Sequence, residues 1–173
     1  EMEPKRTVED SLVEKLLFSD EKLLRECRID RYQASGKGGQ KRNRVLSAVR
    51  LTLAGGELVA TSSEWREGGR NRKEALHRLR IQMALRVAER GDPSLFPEEW
   101  PPFRPQVSSG HEEFPFHVAK ALALFLFHQG RLAESAEGLE TTSSALVRFF
   151  RKENHLWMRV QKERETRGMV PLL

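Results

Sequence analysis

From Arg31 to Arg50 the chain carries six cations and no acidic residue, and at its centre reads Ala34-Ser-Gly-Lys-Gly-Gly-Gln-Lys-Arg-Asn43. Paired glycines let a backbone take positive φ and come close to a ligand, and Gln40 offers donors and an acceptor that do not titrate near neutrality. Such a stretch reads as a glycine loop with a Gly38-Gly39-Gln40 tip, suited to a crowded, phosphate-lined cavity. The tripeptide alone is weak evidence: with glycine at about 7% of residues, a chance occurrence in a chain of this length has odds on the order of a few per cent. Its basic surroundings give it weight.

The formal charge of the whole chain is +5, and it is unevenly spread. Residues 1–30 carry −3, residues 31–63 carry +5, residues 64–90 carry +4, and the rest carries −1. A basic excess concentrated around a tip reads as a footprint for RNA, against the plainer alternative of a solvated charged face. A membrane partner is not expected, because the longest apolar run, 118–127, is interrupted by Lys120 and too short to span a bilayer. No secretory signal opens the sequence, and the lone Cys27 cannot build a disulfide framework. A cytoplasmic monomer is the expectation. No metal or cofactor is expected: the histidines at 77, 111, 117, 128 and 155 show no ligand spacing with Cys27. Gly36-Lys37 is followed by glycine, where a nucleotide-binding loop needs Ser or Thr.

The periodicity predicts an α+β fold, one small sheet with packed helices, followed by an all-α module. Apolar residues at 8, 12, 13, 16 and 17 have helical spacing, and a second short helix, capped by Asp20, is expected to run through Arg25. Strands are expected over 27–33, 46–53 and 58–61, the last two joined by a turn at Ala54-Gly55-Gly56-Glu57. Asn71 to Arg90 should be a helix with an apolar stripe of Ala75, Leu79, Met83 and Val87. Three regions follow: 1–92 with the glycine loop, an ordered Pro/aromatic connector over 93–110, and a helical module over 111–173. Within that module, helices are expected over 116–129, 131–138, and from Thr141 or Thr142 through Trp157. Ala136, Glu140, Leu146 and Phe149 match the spacing of a helix-turn-helix, although Glu140 stands where glycine is usual; an unspecialised helical bundle is the alternative. Arg148, Arg151 and Lys152 could then touch nucleic acid, while Glu134, Glu137, Glu140 and Glu153 favour a protein contact or spacer equally.

The motif Ser35-Gly36-x-Gly38-Gly39-Gln40-x-x-Asn43, followed by Ser47-Ala48-Val49-Arg50, resembles the catalytic domain of class I peptide chain release factors and their ribosome-rescue relatives. The likeness runs over about residues 27–90. It departs at Arg66-Glu67-Gly68-Gly69-Arg70, where the family usually has Arg-Ser-Gln. The resemblance implies hydrolysis of the ester joining a nascent peptide to tRNA, in the peptidyl-transferase centre of the ribosome. Gly38, Gly39 and Gln40 would be catalytic, with the backbone N–H of Gln40 stabilising developing oxyanion and leaving-group charge. Ser35, Gly36, Asn43 and Arg50 would support or dock the loop, or serve turn and strand structure only. Lys37, Lys41, Arg42, Arg44, Arg66, Arg70 and Arg72 would meet large-subunit rRNA or peptidyl-tRNA phosphates, which orient without reading sequence. A methyltransferase modifying Gln40 is a further implied partner. Full-length release factors carry a codon-reading domain and a long N-terminal helical domain for which 173 residues leave no room, so rescue of stalled ribosomes without stop-codon reading is expected, with residues 116–173 as the recognition element. The alternative is a non-catalytic ribosome- or RNA-binding factor with a nucleic-acid-binding C-terminal module.

Overall fold

The computed structural model describes residues 7–33, 46–53 and 55–173. The chain folds into two compact units, one of Leu17–Met83 and one that joins the first helix to Ala84–Leu173.

The first unit is built on a three-stranded antiparallel sheet of β1 (Cys27–Tyr32), β2 (Ala48–Leu53) and β3 (Val59–Ser62), in that spatial order. Register pairs Ile29 with Leu51 and Leu51 with Ala60, so the two-residue alternation buries Val49, Leu51, Leu53, Ala60 and Ser62 together and leaves Arg50 exposed. The β2–β3 turn is the expected one: Gly55 and Gly56 sit at φ +103° and +76°, a region costly for any residue with a Cβ. Helix α2 (Asp20–Arg25) is capped by Ser19, whose hydroxyl accepts from the Lys22 N–H, one residue earlier than the expected Asp20 cap. Helix α3 (Gly68–Ala88) begins three residues before the expected start. Within this unit it buries Ala75, Leu76, Leu79 and Met83. Its polar flank reaches other elements: Arg78 donates to the Thr61 carbonyl at 2.9 Å, and Arg80 donates to the Phe18 carbonyl and to Asp20.

The second unit is helical. α1 (Val8–Leu16) buries Leu12, Val13 and Leu16, and its acidic flank pairs Glu9 with Arg86 and Asp10 with Arg90. The Thr7 backbone N–H, followed by Arg90, holds the Asp10 carboxyl down at about 2. The centre is α4 (Phe114–Phe127), apolar nearly all round, which packs on α5 (Leu132–Gly138) and α7 (Asn154–Thr166), while α6 (Ser143–Phe150) packs on those same two helices. Phe149 meets Phe114 and Phe103 with ring centres 5.4 and 5.0 Å apart, and Phe150 meets Phe125 at 5.2 Å.

The Pro/aromatic stretch 93–110 is ordered by two lysines. Lys120 on α4 donates to the Trp100 and Pro101 carbonyls, and Lys152 donates to those of Pro105 and Val107. An ammonium offers three donors, so each lysine supplies partners to backbone acceptors that the prolines cannot pair in regular structure. This corrects two expectations. Lys152 is committed to carbonyls rather than free for nucleic acid, and the single helix expected through Trp157 is interrupted at residues 151–153. There Glu153 leaves the helical region and its carboxylate caps α7 through the Leu156 N–H at 2.6 Å.

The α5–α6 turn uses the spacing noted in the sequence. Ala136, Leu146 and Phe149 are buried, Thr142 caps α6 through the Ala145 N–H, and Glu140 takes φ +53°. The Thr141 N–H closes the turn on the Ala136 carbonyl at 2.9 Å. A left-handed conformation costs a residue with a Cβ roughly 1–2 kcal/mol, partly offset in glycine by a larger unfolded-state entropy. Glu140→Gly is therefore expected to raise stability by about 0.5–1 kcal/mol, read as a higher urea midpoint at unchanged slope; a lower midpoint would contradict it.

Candidate functional site

β1 and β2 are antiparallel neighbours whose last pair is Tyr32 with Ala48. The segment 34–45 therefore enters and leaves from adjacent strand ends. The residues expected to be catalytic, Gly38, Gly39 and Gln40, lie outside the described residues, as do Ser35, Gly36, Asn43, Lys37, Lys41, Arg42 and Arg44. Arg50 is described: it points from the exposed face of β2, opposite Asp30, with its guanidinium 5.3 Å from the centre of the Tyr32 ring.

Arg66, Arg70 and Arg72 are all exposed, in the loop before α3 and in its first five residues. Gly68 and Gly69, which stand where the release-factor pattern differs, form the first residues of α3. The Arg70 guanidinium lies over the Trp65 indole, 3.1 Å from the ring centre, a cation–π contact that stiffens an otherwise mobile side chain. Beside it, Arg78 bridges Glu64 and Glu74. Glu64 is held down at about 2, first by the Ser62 hydroxyl and also by Arg78.

The residue that sequence reasoning missed is Asn71. Its side chain is fully buried and engaged on every side. The amide nitrogen donates to the Ser47 and Trp65 carbonyls, both at 2.7 Å, and the amide oxygen accepts from the Trp65 N–H at 3.0 Å and the Ser62 hydroxyl at 3.1 Å. A signal was present: Asn71 extends the 75-79-83-87 stripe by one four-residue step, so a polar group was placed on the face that faces inward. A buried amide there needs partners, and Ser47, beside the motif segment, supplies one.

Among the described residues no cluster of His, Cys, Asp or Glu is arranged to hold a metal, and no helix is long and apolar enough to cross a membrane. The Cys27 thiol donates to the Leu23 carbonyl at 3.3 Å.

Comparison with known proteins places this geometry. The RF-1 domain model matches residues 23–94, the region that holds the sheet, the motif segment and α3. Over 64 residues the chain is 42% identical to peptide chain release factor 1 of Leptospira biflexa, a match covering 37% of this chain and 18% of the relative. It is 45% identical over 58 residues to peptide chain release factor 1 of Ureaplasma parvum, covering 34% and 16%. Peptide chain release factor 2 of Bordetella pertussis is 43% identical over 58 residues, again 34% and 16%. The matched region thus spans less than a fifth of each of these relatives. No solved structure matches the chain. The resemblance read from the motif holds: residues 23–94 match the release-factor domain, at about 40% identity to the relatives over that region.

Proposed function

We propose that the chain hydrolyses the ester of peptidyl-tRNA in the ribosomal peptidyl-transferase centre, acting on stalled ribosomes without conventional stop-codon reading. The observation that carries the reading is the RF-1 match over residues 23–94, which encloses Gly38-Gly39-Gln40 in a cationic setting. The relatives bear the name peptide chain release factor, and the chemistry needs few groups from this protein. A preoriented backbone donor at Gln40 would stabilise the oxyanion in a water-restricted site, worth about 2.7–4 kcal/mol of barrier. The rest would come from ribosomal RNA. Arg66, Arg70, Arg72 and the cations around the tip would bind phosphates, so affinity should fall steeply with salt.

The helical module over 111–173, which lies outside the RF-1 match, is in this reading the element that selects the target ribosome. Its exposed Arg148 and Arg151 support a nucleic-acid contact; exposed Glu134, Glu137 and Glu140 support a protein one. Gln40 as a methyltransferase substrate and a monomeric state belong to the same proposal.

The test is release of labelled peptide from purified ribosomes stalled with peptidyl-tRNA in the P site, programmed with a stop codon, a sense codon or no codon in the A site. Comparable release in all three supports rescue. Release confined to the stop codon would overturn the codon-independent part. Binding without release under every programme would favour the non-catalytic ribosome-binding factor.

A further inference from the structure

We propose that Asn71 is a positioning residue for peptide release: it anchors the C-terminal stem of the glycine–glutamine segment to α3, and so sets where Gln40 is presented. The inference rests on the release reading above.

The Asn71 amide is buried and uses both donors; its oxygen accepts from the Trp65 N–H and shares the single Ser62 hydroxyl proton with the closer Glu64 carboxylate. Two of its four bonds close the local loop on Trp65. The one to the Ser47 carbonyl crosses 24 residues to the chain that leaves the motif segment. On the other side, Tyr32 is held by the β1–β2 ladder at its pair with Ala48. The same ladder pair holds the leaving side at Ala48, and there the Asn71 amide adds a second hold on the adjacent Ser47 that the entering side is not shown to have among the described residues.

A site that works by placing a backbone donor is sensitive to its supports, since a misplacement of about 1 Å can cost on the order of 100-fold in rate. Arg66, Arg70 and Arg72 are exposed and do not bond Ser47, so the Ser47 contact itself supplies nothing to phosphate binding; the part of the Asn71 network nearest those side chains is its pair of bonds to Trp65, over which Arg70 lies. Loss of the anchor should therefore act on the chemical step and spare ribosome affinity. Ser62 provides the contrast: its hydroxyl bonds Asn71 and Glu64 but does not touch the stem.

The test compares wild type, Asn71→Ala and Ser62→Ala in single-turnover release at varied ribosome concentration, with hydrogen exchange followed over residues 46–50. The expected result for Asn71→Ala is a fall of about tenfold or more in the saturating rate, a half-saturating ribosome concentration within twofold of wild type, and faster exchange over 46–50. Ser62→Ala should keep the saturating rate. An unchanged rate in Asn71→Ala, or an equal loss in Ser62→Ala, would overturn the proposal. Should Asn71→Ala not fold, Asn71→Ser keeps the site neutral and a hydroxyl in place while withdrawing the amide from Ser47, and reads the same quantities. If the wild type releases no peptide, the release reading fails by itself; exchange over 46–50 then still tests the anchor, and unchanged exchange in the variant would remove it.

Discussion

Alanine at position 39 is expected to lower the saturating rate of peptide release by about 10²–10³-fold, the range seen when one oxyanion donor is lost. Under the release reading the critical group is the backbone N–H of Gln40, and the residue before it controls how that N–H is aimed. A Cβ at Gly39 restricts φ and adds bulk where the chain must pass close to RNA. Gln40→Ala should cost less, because it retains the N–H and removes only the side chain that helps shape the water pocket. That ordering separates a backbone role from a side-chain one. Ribosome affinity should remain near wild type in both variants, since the surrounding cations are untouched. Release that is insensitive to Gly39→Ala would remove the tip from the mechanism. A Gln40→Ala defect exceeding that of Gly39→Ala would transfer the main role to the side chain.

Acidification from pH 6.5 to about 4 should cost the helical unit about 3 kcal/mol through His117 alone. This imidazole is fully buried. Burial is the main reason its pKa falls to about 4; Arg104, Lys120 and His111 push the same way, and Glu113 opposes them. Its Nδ1 accepts the Arg104 backbone N–H, so the proton of the neutral ring sits on Nε2, which has no hydrogen-bond partner among the described residues. Above pH 6.5 neither the folded nor the unfolded state binds a proton at this site. Between 6.5 and about 4 the unfolded chain takes one up and the folded chain does not, so stability drains as pH falls and levels off below about 4. The depressed carboxyls of Asp10 and Glu64 lose their own contributions at lower pH, through about 2. Denaturant unfolding of wild type and His117→Phe at each pH isolates the histidine as the difference between the two curves. Parallel curves between pH 6.5 and 4, or an NMR titration of His117 near its ordinary value, would refute the assignment.

Elements whose partners lie close in sequence were legible before the structure. The Gly55-Gly56 turn between alternating strands predicts the β2–β3 pair, because positive φ and a two-residue period leave little else for those residues to form. The stripe at 75, 79, 83 and 87 identifies α3 to within three residues at either end. Glu140 was readable as the awkward residue of a tight interhelical turn, and it is there, at φ +53°. The interruption of α6 from α7 was not legible. Nothing within 151–153 breaks a helix by propensity; what marks the break is the Glu153 cap of α7 and, beside it, Lys152 bonding carbonyls 45 and 47 residues away.

The same division runs through the site. Residues 34–50 alone, by their glycines, their amide and their charge, determined the chemistry to look for, because those properties belong to the residue types and their order. Which groups support that chemistry was decided only by folding. Asn71 reaches Ser47 and Lys120 holds the Trp100 and Pro101 carbonyls because packing excludes water and makes an unpaired polar group costly there. Those partners are chosen by proximity in three dimensions, and a linear pattern carries no record of them.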